Sequence, residues 1–146
     1  MKLLISQHCL TWEHSVMSKI FEIPNWHTVL KTITMPADID ASGHIPTGWL
    51  LAKMDLAGAV LPGQHFRGPV QLIGLSGISI SGRPRLGQCI TFRCHWIAGD
   101  TAHALLDIEA CSEDRGQIGE EKLLGAQLRY VPAVVEVPEH IFPGSF

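Results

Sequence analysis

Thr47-Gly48-Trp49-Leu50-Leu51-Ala52-Lys53-Met54-Asp55-Leu56-Ala57-Gly58-Ala59-Val60-Leu61 reads as one long helix, and its character decides the architecture of the chain. Pro46 suits a first helical turn, and Pro62-Gly63 is a stop signal, so the expected span is 47–61. Positions 49–52, 54, 56, 57 and 59–61 are all apolar and lie nearly all round the helix. A helix apolar nearly all round is wrapped on most sides rather than laid on a surface.

Outward from the helix the period changes. Residues 28–35, Thr-Val-Leu-Lys-Thr-Ile-Thr-Met, are β-branched and partly alternating, which predicts a strand closed by Pro36. A polar loop over 37–46 follows. After the helix and a Gly- and Pro-rich stretch, four more strands are expected. The first covers 70–80, with Gly74 and Gly77 marking a bulge or sharp bend. In the second, Ile90, Phe92, Cys94 and Trp96 alternate with Thr91, Arg93 and His95. The third sets Ala102, Ala104, Leu106 and Ile108 against His103, Asp107 and Glu109, and the fourth sets Leu124, Ala126, Leu128 and Tyr130 against Gln127 and Arg129. Period-two patterning with one polar face belongs to antiparallel strands. Gly99-Asp100 supplies a tight hairpin turn between the second and third. A strand, one long helix and a four-strand meander make an α+β domain. Residues 13–21 fit a short helix closed by Pro24; the first 25 residues and the tail from about 132 are expected to be peripheral.

With 146 residues, 46% hydrophobic and 17% charged, the chain suits one domain with a substantial core. It also leaves more apolar surface than a small monomer hides easily, which points to a subunit interface. A net charge of −3 without a basic cluster argues against a nucleic-acid partner. The apolar start Met1-Lys2-Leu3-Leu4-Ile5 stops at Ser6-Gln7-His8, short of the ~7–15 residues of a signal core. No run approaches the ~20 apolar residues of a membrane span, so a cytoplasmic protein with no membrane partner is expected. Cys9, Cys89, Cys94 and Cys111 lack the density of a disulfide scaffold, and the last three read as small buried hydrophobes. Cysteines and histidines show no metal-ligand spacing, so no metal site is expected.

Asp55 is the only acid in the helix, with Gly48, Leu51, Ala52, Gly58 and Ala59 near it at three, four or seven residues. Lys53, two positions away, faces elsewhere and does not pair with it along the helix. A carboxylate among small apolar neighbours is costly to bury unless something pairs or uses it. Chemical use, a solvent-facing stripe and a hydrogen bond across a subunit interface all satisfy that pattern.

The segment Met35-Pro36-Ala37-Asp38, Gly43-His44-Ile45 and Gly48-Trp49-Leu50-Leu51-Ala52-Lys53-Met54-Asp55-Leu56-Ala57-Gly58 resembles bacterial YciA-type acyl-CoA thioesterases. The close match covers roughly a sixth of the chain. The resemblance implies a hotdog fold, a curled antiparallel sheet around one long central helix. It implies an acyl-CoA thioester hydrolase of fatty acid metabolism, with Asp55 at the family's catalytic aspartate and CoA entering only as part of the substrate, not as a cofactor. Similar enzymes are homodimers or trimers of such dimers. The chain departs from the family at Pro46-Thr47, where Phe-Gly is usual, and at Asp40 and Ser42, where Asn is common.

Spacing adds a constraint. Gly48, helped by Thr47, stands at the helix start, where free N–H groups and the positive dipole end can hold an oxyanion. Asp55 lies about 10 Å farther along at ~1.5 Å per residue, too far to share one carbonyl with Gly48. The donor and the carboxylate therefore come from two chains, and the active site is expected at a dimer interface. Thr47 puts a side chain at the mouth of that hole, where it is expected either to narrow the acyl pocket or to alter substrate choice. His44 either assists by hydrogen bonding or orders its loop. Arg83 and Arg85, on a loop between strands, are candidates for the CoA phosphates, ahead of Arg67 and Lys53. Ser76 and Ser79 are candidates for a pocket lining. Two other functions fit the same chain: a non-catalytic acyl-CoA-binding protein, and a dehydratase or hydratase on acyl thioesters. Lys53, where a dehydratase-like acid belongs, argues against the latter.

Overall fold

The alternating segments form five strands in a computed structural model that describes residues 25–113, 116 and 118–134. The short helix expected over 13–21, Cys9 and the tail beyond 134 lie outside the described residues. The strands are β1 (Trp26–Ile33), β2 (Val70–Ile80), β3 (Cys89–Gly99), β4 (Ala104–Glu113) and β5 (Glu120–Pro132). All pairings are antiparallel, in the order β1-β3-β4-β5-β2.

That order corrects the expected meander. Only β3, β4 and β5 follow one another across the sheet, while β2 lies at the far edge against β5. The connection over 81–88 makes the crossing possible. Ser81 N–H bonds the Leu123 carbonyl at 2.9 Å on one side, and Gly87 N–H bonds the Thr34 carbonyl at 3.1 Å on the other. Period-two patterning reports which face a residue takes, not which strand lies alongside. Both irregularities expected in β2 are present, as register shifts between Leu72 and Gly74 and between Ser76 and Ser79, with Gly77 at φ 58°.

The tight turn at Gly99-Asp100 is also corrected. The Asp100 carboxylate accepts N–H bonds from Ala102 and His103, both at 2.7 Å, so the link is a longer loop and β4 begins at Ala104.

The helix is two helices, α1 (Thr47–Gly58) and α2 (Val60–Phe66), with a turn at Ala59. Pro62-Gly63 does not end it, because Pro62 falls in the first turn of α2, where no N–H is required. The helical path runs on to Arg67, which takes the left-handed conformation at φ 54°.

Leu50, Met54 and Ala57 of α1 pack on Ile90, Phe92 and Cys94 of β3, Leu106 and Ile108 of β4, and Leu124 and Leu128 of β5. Each large side chain buried there contributes about 1.5–3 kcal/mol. Cys89, Cys94 and Cys111 are free thiols, and burial pushes that of Cys94 up to about 12. The opposite sheet face carries the polar alternation, with Arg93 bridging Glu109 at 3.1 Å and Glu120 at 2.7 Å. Among the described residues no helix is long and apolar enough to cross a membrane. An antiparallel sheet packed on a central helix is the expected α+β hotdog arrangement. One feature of the helix differs from expectation. Within this chain it is not wrapped on most sides, since Gly48, Ala52, Asp55 and Leu56 form an exposed stripe.

Candidate active site

The loop before α1 is tied together at its two aspartates. Asp38 accepts the Met35 N–H at 2.8 Å, closing a short 3-10 turn over Pro36–Asp38. Asp40 Oδ1 accepts the N–H groups of Ser42 at 2.8 Å and His44 at 3.2 Å, and the Ser42 hydroxyl as well. Those bonds, the Ser42 hydroxyl foremost, hold the Asp40 carboxyl below its ordinary range. Gly43 takes φ 81° to let its N–H reach the Asp40 carbonyl at 3.0 Å. Ile45 is then buried as an anchor, and Pro46 delivers the chain into α1. His44 Nδ1 lies 3.2 Å from the Ser42 hydroxyl, so its described contacts belong to its own loop.

At the start of α1, Trp49 N–H makes the first bond, to the Pro46 carbonyl at 3.0 Å. The N–H groups of Thr47 and Gly48 precede the helical ladder. Gly48 is exposed, and a Cβ added to it would meet nothing within 4 Å among the described residues. Lys53 lies over the Trp49 ring at 5.6 Å, away from Asp55, as its spacing implied.

Asp55 stands on the exposed stripe with Gly48, Ala52 and Leu56; Leu56 is 63% exposed. This is the solvent-facing placement among the alternatives open at the level of the sequence, in a single copy of the chain. Asp55 nonetheless has a partner from below. The Tyr130 hydroxyl of β5 lies 3.1 Å from the Asp55 carbonyl and 3.3 Å from its Oδ1. Burial, and then the Asp55 charge, push the Tyr130 hydroxyl well above its usual range, so it stays protonated and donates. Gly58 makes the approach possible. A Cβ there would lie 2.6 Å from the Tyr130 oxygen and closer still to the Leu128 side chain.

Tyr130 is not legible from the sequence as a neighbour of Asp55, because the two are 75 positions apart. A signal was present: the chain's one tyrosine falls on the apolar face of its strand, where a hydroxyl needs a partner.

Arg83 and Arg85 are exposed on the 81–88 connection, on either side of buried Pro84. The Arg85 carbonyl accepts the Thr34 hydroxyl at 2.6 Å, which ties that loop to the end of β1. The two arginines thus sit on a different element from Asp55 and Gly48. Arg67 closes α2, and Ser76 flanks a shallow trough of about 370 Å³ on the sheet together with Trp26, Asp107 and Lys122. Among the described residues, no three His, Cys, Asp or Glu side chains converge on a metal-sized site.

One edge of the molecule is unusual. Among the described residues β2 pairs only with β5, and along it Ile73, Leu75, Ile78 and Ile80 are exposed. A long apolar edge strand is a template for pairing with another chain.

No protein-family model matches the chain. The acyl-CoA thioester hydrolase YciA of Escherichia coli (strain K12) is 30% identical over 93 residues, 64% of this chain and 70% of that protein. An uncharacterized acyl-CoA thioester hydrolase of Buchnera aphidicola subsp. Baizongia pistaciae is 31% identical over 86 residues, 59% of this chain and 64% of that protein. The matched region therefore spans just under two thirds of one relative and slightly more of the other. In three dimensions the chain is similar to a hexameric thioesterase from Yersinia pestis, with TM-score 0.69 and 27% identity over 80% of this chain and 94% of that one. With its motif, its strand order and these likenesses together, the chain belongs to the YciA-type family of hotdog acyl-CoA thioester hydrolases.

Proposed function

We propose that the chain hydrolyses acyl-CoA thioesters to a free acid and CoA, at a site completed by a second copy of itself. The observation that carries this reading is the exposed stripe of α1, which holds a carboxylate and an open helix N-terminus seven residues apart. Each is accessible, and at about 10 Å of axial separation they cannot serve one carbonyl within one chain. Two copies placed with their helices side by side bring Asp55 of one against Thr47 and Gly48 of the other. The apolar edge of β2 and the exposed Leu56 give such a pair surface to bury.

In this arrangement the thioester oxygen takes hydrogen bonds from Gly48 N–H, with Thr47 beside it, and the polarised carbonyl carbon is open to attack. As a general base, Asp55 removes a proton from water while the water oxygen bonds to that carbon. The tetrahedral oxyanion then collapses, the C–S bond breaks, and the CoA thiolate leaves and takes up a proton. As a nucleophile, Asp55 bonds to the carbon directly, expels the thiolate, and forms an anhydride that water opens. Both routes yield the same products and need the same two groups. Thr47, in place of the family's glycine, limits the acyl groups that fit; His44 holds the loop that carries it. Arg83 and Arg85 supply cations for the CoA phosphates. Dimers assemble further into hexamers, the state of the Yersinia pestis protein.

The test is thiol release from short, medium, long and aromatic acyl-CoAs by the wild type and by Asp55→Ala. We expect a loss of at least about a hundredfold in a folded mutant, as for removal of a general base. CoA binding without turnover by the wild type on any of these thioesters would replace the hydrolase with a binding protein.

A further inference from the structure

We propose that Tyr130 is a positioning residue that holds the Asp55 carboxylate in its working orientation. The proposal rests on the reading of Asp55 given above. A carboxylate on the exposed face of a helix is free to change rotamer, because nothing packs around it. Among the described residues, one side chain restrains Asp55. The Tyr130 hydroxyl lies within hydrogen-bond reach of both its carbonyl oxygen, at 3.1 Å, and its Oδ1, at 3.3 Å. Two acceptors on one residue, met by one hydroxyl, fix the side chain relative to its own backbone. Oδ2 is left without a protein partner among the described residues, as the oxygen available for chemistry.

The restraint is rigid at its other end. Tyr130 is 1% exposed, and its ring is held in the core between α1 and β5. Gly58, one turn beyond Asp55, admits the phenol oxygen because it has no side chain. A cap on the Asp55 carbonyl alone would not need this hydroxyl, since the Ala59 N–H already bonds that oxygen at 3.1 Å. The second contact, to the carboxylate, distinguishes positioning from capping. Displacing a catalytic group by a fraction of its working distance is costly in rate even when binding is unaffected.

The test is a cycle of wild type, Tyr130→Phe, Asp55→Ala and the double variant. Each is assayed on the acyl-CoA of the panel that the wild type turns over fastest. Tyr130→Phe is expected to hold KM within about twofold and to lose about tenfold in kcat, the rate equivalent of one ordinary hydrogen bond. In the Asp55→Ala background the same change is expected to leave the residual single-turnover rate unaltered. A wild-type kcat in Tyr130→Phe, or an equal loss in both backgrounds, overturns the proposal and leaves the Asp55 reading standing. Wild-type turnover by Asp55→Ala overturns that reading and the proposal with it. If Tyr130→Phe melts early, its crystal structure decides. A carboxylate spread over several rotamers supports positioning, and an unmoved one refutes it.

Discussion

Two inactive variants are expected to make an active enzyme when mixed. Asp55→Ala removes the carboxylate, and Gly48→Val fills the space in front of the helix N-terminus. The added side chain is tolerated within one copy, because a Cβ at Gly48 has no neighbour within 4 Å among the described residues. Seven residues of α1 put the two positions about 10 Å apart along the axis, so each site draws one group from each copy. A dimer of one Asp55→Ala chain and one Gly48→Val chain then has one site with both defects and one with neither. Random pairing makes half the dimers mixed, so co-folded material should show about a quarter of wild-type activity. Assembly of dimers into hexamers leaves that fraction unchanged, because each site still belongs to one pair. The assay is thiol release from material co-expressed with two different tags and purified through both, with light scattering to size the assembly. Selection leaves only mixed pairs if the particle is a dimer, raising the expectation to about half, whereas hexamers, whose pairs stay nearly random, remain at about a quarter. Activity no greater than the sum of the parents in a doubly tagged sample would refute the shared site and place both groups in one chain.

Two further outcomes follow from the same geometry. Gly58→Ala forces a methyl against Leu128 and the Tyr130 hydroxyl, both closer than 3.0 Å; that puts overpacking at the upper end of its range, about 3 kcal/mol, and up to ~1 kcal/mol of helix propensity offsets it, leaving a net destabilisation of about 2–3 kcal/mol. Urea unfolding at fixed protein concentration measures it, and an unchanged midpoint would mean that α1 rides farther from β5. The second outcome concerns acid. The Asp40 carboxyl is lowered first by the Ser42 hydroxyl, and that of Asp100 first by the Ala102 N–H. A lowered folded value means that the stabilisation is present above the ordinary carboxylate range, about pH 4, and is lost as pH falls through the folded values. Asp40→Asn with Asp100→Asn should therefore flatten the acid side of a melting-temperature profile, and an unaltered slope would assign acid sensitivity elsewhere.

What the chain declares locally, it declares well. The bounds of β2 and both of its irregularities can be read from a largely apolar run interrupted by Gly74 and Gly77, since backbone freedom is a property of the residue itself. The inward faces of β3, β4 and β5 follow from period-two alternation, and α1 from its continuous apolar run. Pro62 is ambiguous in the sequence because a proline can stop a helix or sit in a helix's first turn, and the turn at Ala59 puts it in the first turn of α2. The place of β2 at the sheet edge, the contact of Tyr130 with Asp55 and the need for glycine at 58 belong to tertiary structure alone. Each depends on which surfaces meet when the chain closes on itself; a lone tyrosine on an apolar strand face signals that its hydroxyl needs a partner, but across 75 positions nothing local says which residue that is. The motif around Asp55 names the carboxylate; the packing of a strand beneath its helix decides how that carboxylate is held.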